Sequence, residues 1–342
     1  MGKDSKGAAT INDVARLAGV SKRTVSRVIN NSPKVNPDTR EKIEKIIAEL
    51  NYAPSKQARG LASSRSYLIG LVYDEPNAIV LHSVQRGILN ACAKFGFELV
   101  VHPRSYHEDD LIPEVLSFVA RSKIDGLIVM PPISAVEPLF EALRENTIPY
   151  VRLAAKAVDR PEAVVVSNDR KAMDQVAQLF EQKQCKDVAI LLGPEHRLAS
   201  KERFAGLTEA LAQRGQKIRP EFIIAGDFTY ETAKQNADRL LSGEVKPDAI
   251  FASNDQMAIA VMHSAEDLGI KVPQDLLVVG YDDDPMASRL RPSLTTLKRP
   301  NEDMAKAATL KLIQALSVET VEDADLVSEF TPELLQRQST DR

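Results

Sequence analysis

The spacing of apolar positions changes character near residue 67. Before it, apolar residues recur at helical spacing. Ile11, Val14, Ala15 and Ala18 fall at i, i+3, i+4 and i+7, one face of a short helix. Thr10 followed by Asp13 has the form of a capping box that opens this helix, and Gly19 supplies a left-handed stop. Ser21 caps a second helix two residues later. There Val25, Val28 and Ile29 point one way, while Arg23, Arg27 and Asn30 point the other with Ser26 beside them. Asn36-Pro37 reads as an N-cap followed by proline at the first helical position. Ile43, Ile46, Ile47 and Leu50 then form the stripe of a third helix, which closes a three-helix core over the inward valines. Two short helices joined by a glycine turn, the second with a cationic and amide-bearing outer face, are the pattern of a helix-turn-helix. An isolated Arg-rich helix would be a solvated hairpin; here capping, turn and outer-face chemistry agree.

From Tyr67 onward, apolar runs of four to seven residues alternate with longer helical patterns. Strands are predicted at 67–73, 97–101, 125–130, 149–153, 188–192, 222–224, 249–253 and 276–280. Helices are predicted around 79–95, 108–121, 134–146, 170–183, 199–214, 230–242 and 254–268. Such alternation is the signature of parallel sheets covered on both faces, and the number of units is too large for one sheet. The expected fold class is therefore α/β, a small helical head followed by two doubly wound lobes. Ligands of open α/β sheets bind beyond the carboxyl ends of strands. The polar residues at those ends are Asp74, Arg152, Asn168-Asp169, Asp227, Asn254-Asp255 and Asp282, and two facing lobes would make of them a polar cleft for a small polyhydroxylated molecule. Each could instead cap the helix that follows, Asn254 and Asp169 most obviously. An arginine at 152 adds a cation, which suits an acidic sugar, a sugar phosphate, or a pairing with Asp74 or Glu75.

Composition narrows the function. Residues 1–66 carry 13 Lys and Arg against 6 Asp and Glu, while the remainder carries 31 against 42. A basic head on an acidic body fits nucleic-acid contact confined to the head and argues against a protein that coats DNA. No apolar run is long enough to span a membrane, and MGKDSKGAAT has no apolar signal region, so a cytoplasmic protein is expected. Cys92 and Cys185 read as idle buried thiols rather than a bridge. There is no G-x-G-x-x-G after a strand, no P-loop and no H-E-x-x-H, and the five histidines lack metal spacing, so no enzyme, metal or cofactor is expected. The alternative is a cytoplasmic sugar-binding protein or sugar-acting enzyme that ignores DNA.

The run INDVARLAGVSKRTVSRVIN, continued by PDTREKI, NYAPSKQARGLAS and the long α/β remainder, resembles the lactose/galactose repressor family of bacterial transcription regulators. The resemblance covers nearly the whole chain. It implies a DNA-binding domain at 1–52, a hinge at 53–65, and an effector-binding and dimerisation body at 66–342 built like periplasmic sugar-binding proteins. The lobes would span 66–164 with 298–327, and 165–297 with 328–342, the chain crossing between them near 165, 297 and 328. It implies DNA contacts from Thr10, Ser21, Lys22, Arg23, Thr24, Ser26, Arg27, Asn30 and Lys34, with Lys22 and Arg23 at the base-reading start of the second helix. In the hinge, Leu61 matches a minor-groove wedge, with Ala58 on the same face and Arg59 between them. The segment 54–63 contains Gly60 and is too short for a stable isolated helix, so it is expected to order on DNA. For the effector, Arg203, Asn254 and Asp282 match sugar-hydroxyl contacts and Phe228 matches an aromatic that packs on the ligand. Ala199 supplies no hydroxyl. PELLQRQSTDR reads as a last strand and short tail without leucine heptads, so the expected assembly is a homodimer on a pseudo-palindromic duplex, without membrane contact.

Overall fold

The structure, a computed structural model, describes residues 9–29, 34–50, 52, 65–316 and 326–342. The chain divides into two compact units, Met1–Tyr67 and Leu68–Arg342.

The first unit is a three-helix head: α1 (Ile11–Ala18), α2 (Lys22–Ile29) and α3 (Pro37–Glu49). Its local signals act as the sequence suggests. The Thr10 amide and hydroxyl both donate to Asp13 Oδ2, at 3.0 and 2.7 Å. Gly19 ends α1 at φ 68°, a conformation costly for other residues. Ser21 Oγ accepts the Thr24 amide at 3.1 Å, and Asn36 Oδ1 accepts the Asp38 amide at 2.9 Å. Val14, Ala15, Ala18, Val25, Val28, Ile43 and Tyr52 form the buried core. Every helix contributes to it, so none is a free-standing hairpin.

The second unit holds two sheets of six strands. The first lobe has β1 (Leu68–Tyr73), α4 (Ala78–Phe95), β2 (Glu98–Pro103), α5 (Leu111–Ser122), β3 (Gly126–Val129), α6 (Glu137–Glu145), β4 (Tyr150–Ala154) and β5 (Val164–Ser167). The second follows with α7 (Asp169–Gln182), β6 (Val188–Leu191), α8 (Leu198–Gln213), β7 (Ile223–Ile224), α9 (Tyr230–Leu241), β8 (Ala249–Ala252), α10 (Asp255–Asp267), β9 (Leu277–Tyr281) and β10 (Thr295–Lys298). Then α11 (Asn301–Ala315) and β11 (Glu329–Phe330) return to the first lobe, and β12 (Glu333–Leu335) ends in the second. Strand orders are β11-β5-β4-β3-β1-β2 and β12-β10-β9-β8-β6-β7. All pairings are parallel except β10 with β12. In each sheet the second strand lies on one side of the first and the third on the other, which puts a topological switch point at β1/β3 and at β6/β8.

The sheet pairings place the chain crossings at residue 168, at 299–300 and at 331–332, each a few residues beyond its expected position. The residues expected to form a short tail are tied down: Ser339 and Thr340 are buried, and Ser339 Oγ accepts the Thr295 amide at 2.8 Å. Cys92 and Cys185 are free and buried, and burial pushes each thiol up to about 12.

Gly87 marks a close helix approach in the first lobe. A methyl group there would collide with the Glu302 backbone carbonyl where α4 meets α11. Gly87→Ala is therefore expected to destabilise the body by about 1–3 kcal/mol through overpacking. Urea unfolding of the full chain measures it, and an unchanged midpoint would contradict this contact.

Candidate functional site

In the head, α2 turns Val25 and Val28 inward. Lys22 and Arg23 are exposed at its start, with Ser21 exposed just before them. Thr24, Ser26 and Arg27 are half-buried on the same helix, and Lys34 is exposed beyond it. Three hydroxyls already have work: Thr10 Oγ1 goes to Asp13, and Ser21 and Thr24 share a 2.9 Å bond. Asn30 and the hinge residues Ala58, Arg59 and Leu61 lie outside the described residues. No charged partner within ion-pair distance of Lys22, Arg23 or Arg27 occurs among the described residues, so the outer face of α2 presents cations to whatever approaches it.

In the body, the carboxyl ends of strands from both sheets enclose a cavity of about 260 Å³. The first lobe supplies Glu75 and Asn77 after β1, Pro131 and Ser134 after β3, and Ala154 and Val158 at and after β4. The second supplies Arg197 and Arg203 beyond β6, Asp227 and Phe228 beyond β7, Asn254 beyond β8, Asp282 beyond β9 and Arg299 beyond β10. Both switch points open onto it.

Four of the six expected effector residues line this cavity: Arg203, Phe228, Asn254 and Asp282. Two do not. Arg152 is 1% exposed and ion-paired with Glu137 at 2.8 Å and Asp159 at 2.9 Å, with its guanidinium 3.5 Å over the Phe140 ring. Its charge is taken up within the first lobe, so it gives no ground for an anionic effector, and its partners are not Asp74 or Glu75. The Asp74 carboxylate faces away to accept the Tyr106 amide at 2.8 Å.

The four that line the cavity also hold the second lobe together. Arg203 Nε donates to Asp169 at 2.9 Å, Nη1 donates to the Ser253 carbonyl at 2.6 Å, and the guanidinium lies 3.3 Å over the Tyr281 ring. Asn254 is the N-cap of α10, its Oδ1 accepting the Met257 amide at 2.8 Å, and its Nδ2 donates to the Phe228 carbonyl at 3.0 Å. Phe228 is held at φ 71° and Asp282 at φ 109°. A non-glycine residue held there costs on the order of 1–3 kcal/mol and persists only where its surroundings over-determine it, a habit of ligand sites.

Electrostatics set the cavity's polarity. Burial raises the Asp282 carboxyl to about 7, with Arg203 and Arg299 opposing the rise. Burial also raises Glu75, against its bond from the Asn77 amide and the fields of Arg197 and Arg299. Asp255, behind the wall, is raised by burial despite the 2.6 Å bond from Thr296. Asp227 is held low by Thr229 and Thr232 even as burial opposes it. Arginine and carboxylate side chains thus share the cavity with amide and hydroxyl groups and with apolar walls that include alanine, proline, valine and phenylalanine.

Sequence reasoning missed Glu75, Asn77, Arg197 and Arg299. Arg299 follows TTLK, a strand too mildly apolar to be recognised, and Arg197 lies six residues past the end of β6. Inspecting whole strand-to-helix loops, rather than strand ends alone, would have found Glu75, Asn77 and Arg197.

Comparison with known proteins agrees with both halves. Residues 10–55 match the pattern of bacterial regulatory proteins of the lacI family, and residues 176–340 match the periplasmic binding protein-like domain. Catabolite control protein A of Priestia megaterium is 31% identical over 317 residues, spanning 92% of this chain and 95% of that protein. The solved transcriptional regulator CelR–cellobiose complex is 29% identical with a TM-score of 0.71, covering 97% of this chain and 99% of that one. The lac repressor dimer bound to operator and the anti-inducer ONPF is 26% identical with a TM-score of 0.76, covering 98% and 99%.

Proposed function

Because the chain belongs to the lacI family of bacterial regulatory proteins, it is a DNA-binding transcriptional regulator and not an enzyme, and we propose that it is a cytoplasmic repressor of carbohydrate-utilisation genes controlled by a small sugar or sugar derivative held between its two lobes. The reading rests above all on one observation: a helix-turn-helix with an exposed cationic face shares a chain with an enclosed two-lobed cavity of mixed polarity. No described helix is long and apolar enough to cross a membrane.

On DNA, Lys22 and Arg23 meet base edges from the start of α2, where a lysine or arginine pairs with guanine O6 and N7. Ser21, Thr24, Ser26 and Arg27 bind phosphates, so binding weakens steeply with salt as counterions are released. One helix-turn-helix reads only a half-site, so a homodimer reads a pseudo-palindrome; the lac repressor it resembles is likewise a dimer bound to operator.

In the cleft, Asp282 and Glu75 accept hydrogen bonds from sugar hydroxyls while arginine N–H groups donate to sugar oxygens. Phe228 and the alanine and proline walls take the apolar face of the ring, as befits a pocket with few, placed polar groups. A ligand that contacts both lobes favours the interlobe angle at which both sets of contacts form. Operator affinity then shifts by the difference in its affinity for the two states, with either sign permitted.

The test is a panel of sugars, sugar acids and sugar phosphates added to operator-bound protein. One class is expected to shift occupancy, and Asp282→Asn is expected to abolish the shift. A shift that survives Asp282→Asn would place the effector elsewhere. Proton linkage gives a second expectation. Hydroxyl donation favours ionised Asp282, so the occupied site holds fewer protons than the empty one. Effector affinity should rise as pH passes upward through about 7 and level off above it. Titrations of wild type between about pH 6 and 8 check this, and an affinity that does not change over that range would contradict it.

A further inference from the structure

Beside the cavity, side chains from the two lobes meet in a cluster of which the regulatory reading uses only Arg197. The loop after β2 carries Tyr106 and His107, and the loop after β6 carries His196 and Arg197. The Tyr106 and His196 rings stack across the lobe boundary with centroids 5.6 Å apart and planes 12° apart. His107 meets His196 edge-on at 5.4 Å and Tyr106 edge-on at 5.2 Å. One residue on, Arg197 Nη2 donates to the Asp74 backbone carbonyl of the first lobe at 3.3 Å. The Asp74 carboxylate in turn fixes the Tyr106 amide, so both halves of the cluster are anchored on the end of β1.

We propose that Tyr106, His107, His196 and Arg197 form a clasp that holds the two lobes closed, and that protonation of His196 releases it. Two histidines and an arginine share a small volume at the joint. A neutral His196 ring stacks on Tyr106 there; a second positive charge beside Arg197 is repelled by it. The charged groups acting on His196 are Arg197 and His107, which disfavour its protonation, and Asp74, which favours it. Glu195 and Glu108 flank the imidazoles in sequence, and on the Tyr106 loop Arg104 is taken up by Glu108 and Asp110. Burial, then Arg197 and His107, hold His196 below the ordinary histidine range in the closed arrangement. Opening restores the ordinary value near 6.5, so the open state binds the proton more tightly and acid favours opening. The clasp is complete above that value and is lost as pH falls below it. The cavity wall includes Arg197, so release also loosens one side of the effector site.

The experiment needs no effector. Nitroxide labels on Glu145→Cys in the first lobe and Lys217→Cys in the second report the interlobe distance in the full-length protein, Cys92 and Cys185 being buried and unreactive. At about pH 7.5 one dominant distance is expected, and at about pH 5 a second population at a different distance. Arg197→Ala should show that second population at both pH values. His107→Phe with His196→Phe, which keeps both rings but removes the imidazole nitrogens, should hold the first distance at both. An unchanged wild-type distribution between the two pH values would overturn the clasp. So would an acid-induced second population that persists in the double phenylalanine variant.

Discussion

Replacing Arg203 with alanine is expected to destabilise the body by about 3–5 kcal/mol, the usual penalty for removing one partner of a buried ion pair. Asp169 is 0% exposed, and its described partners include Arg203 and the Ser167 hydroxyl, with the Tyr281 hydroxyl also acting on it. Without the guanidinium, a carboxylate remains in a low-dielectric interior with only hydroxyl donors, the Ser253 carbonyl loses a donor, and the Tyr281 face loses its cation. The family resemblance casts Arg203 as a sugar contact, and a sugar contact alone would lower effector affinity while leaving stability intact. The geometry adds a second duty, since Nε and Nη1 are spent on the protein. Urea unfolding separates the two roles. Arg203→Met combined with Asp169→Leu should recover most of the stability, because removing both charges removes the orphaned one. A loss below about 1 kcal/mol for Arg203→Ala would show that the pair contributes little.

The head is expected to fail from a smaller change. Ile43 is 0% exposed and packs against the inward residues of α1 and α2. Ile43→Ala removes buried methyl groups and leaves a cavity, at a cost of about 2–5 kcal/mol. A unit of this size has little reserve, because small domains bury a smaller share of their surface. Operator binding should therefore be lost at every salt concentration, while the unfolding transition of the body, a separate compact unit, stays where it was. Circular dichroism with a fluorescence-detected operator titration reads both. Retained operator affinity in Ile43→Ala would show that the head holds together without this contact.

The head was legible because its signals are local. Thr10 with Asp13, Gly19, Ser21 and the Val25/Val28 face all act within one or two turns of where they are read. The central strands were legible because both their faces are buried, which makes them continuous apolar runs. Other elements were hidden for the opposite reason. Helix α11 is buried on most sides, including Asn301, Thr309 and Lys311, so no apolar stripe stands out against a polar face. Lys311 is tolerated because its ammonium donates to the Pro161 and Val164 carbonyls and to Ser328, partners far away in the chain. Strand β11 has two residues, too few to form a pattern.

The cleft was half legible. Position at a strand end is a local property, and it drew attention to Asp282 and Asn254. Role is a non-local property. Nothing near Arg152 in sequence shows that Glu137 and Asp159 will neutralise it, and nothing near Arg203 announces Asp169. Arg197 and Arg299 become cavity residues only once the two sheets face each other.

The most direct test of the central claim is selection of bound duplexes from a random pool by the full-length protein, run in parallel with Arg23→Ala. Wild type should enrich a pseudo-palindrome with guanine facing the start of α2, and Arg23→Ala should lose preference at one position of each half-site, worth about 1–3 kcal/mol there, with the rest of the sequence unchanged. No enriched sequence, or a variant that weakens binding to all duplexes equally, would contradict the assignment of α2 as the reading helix.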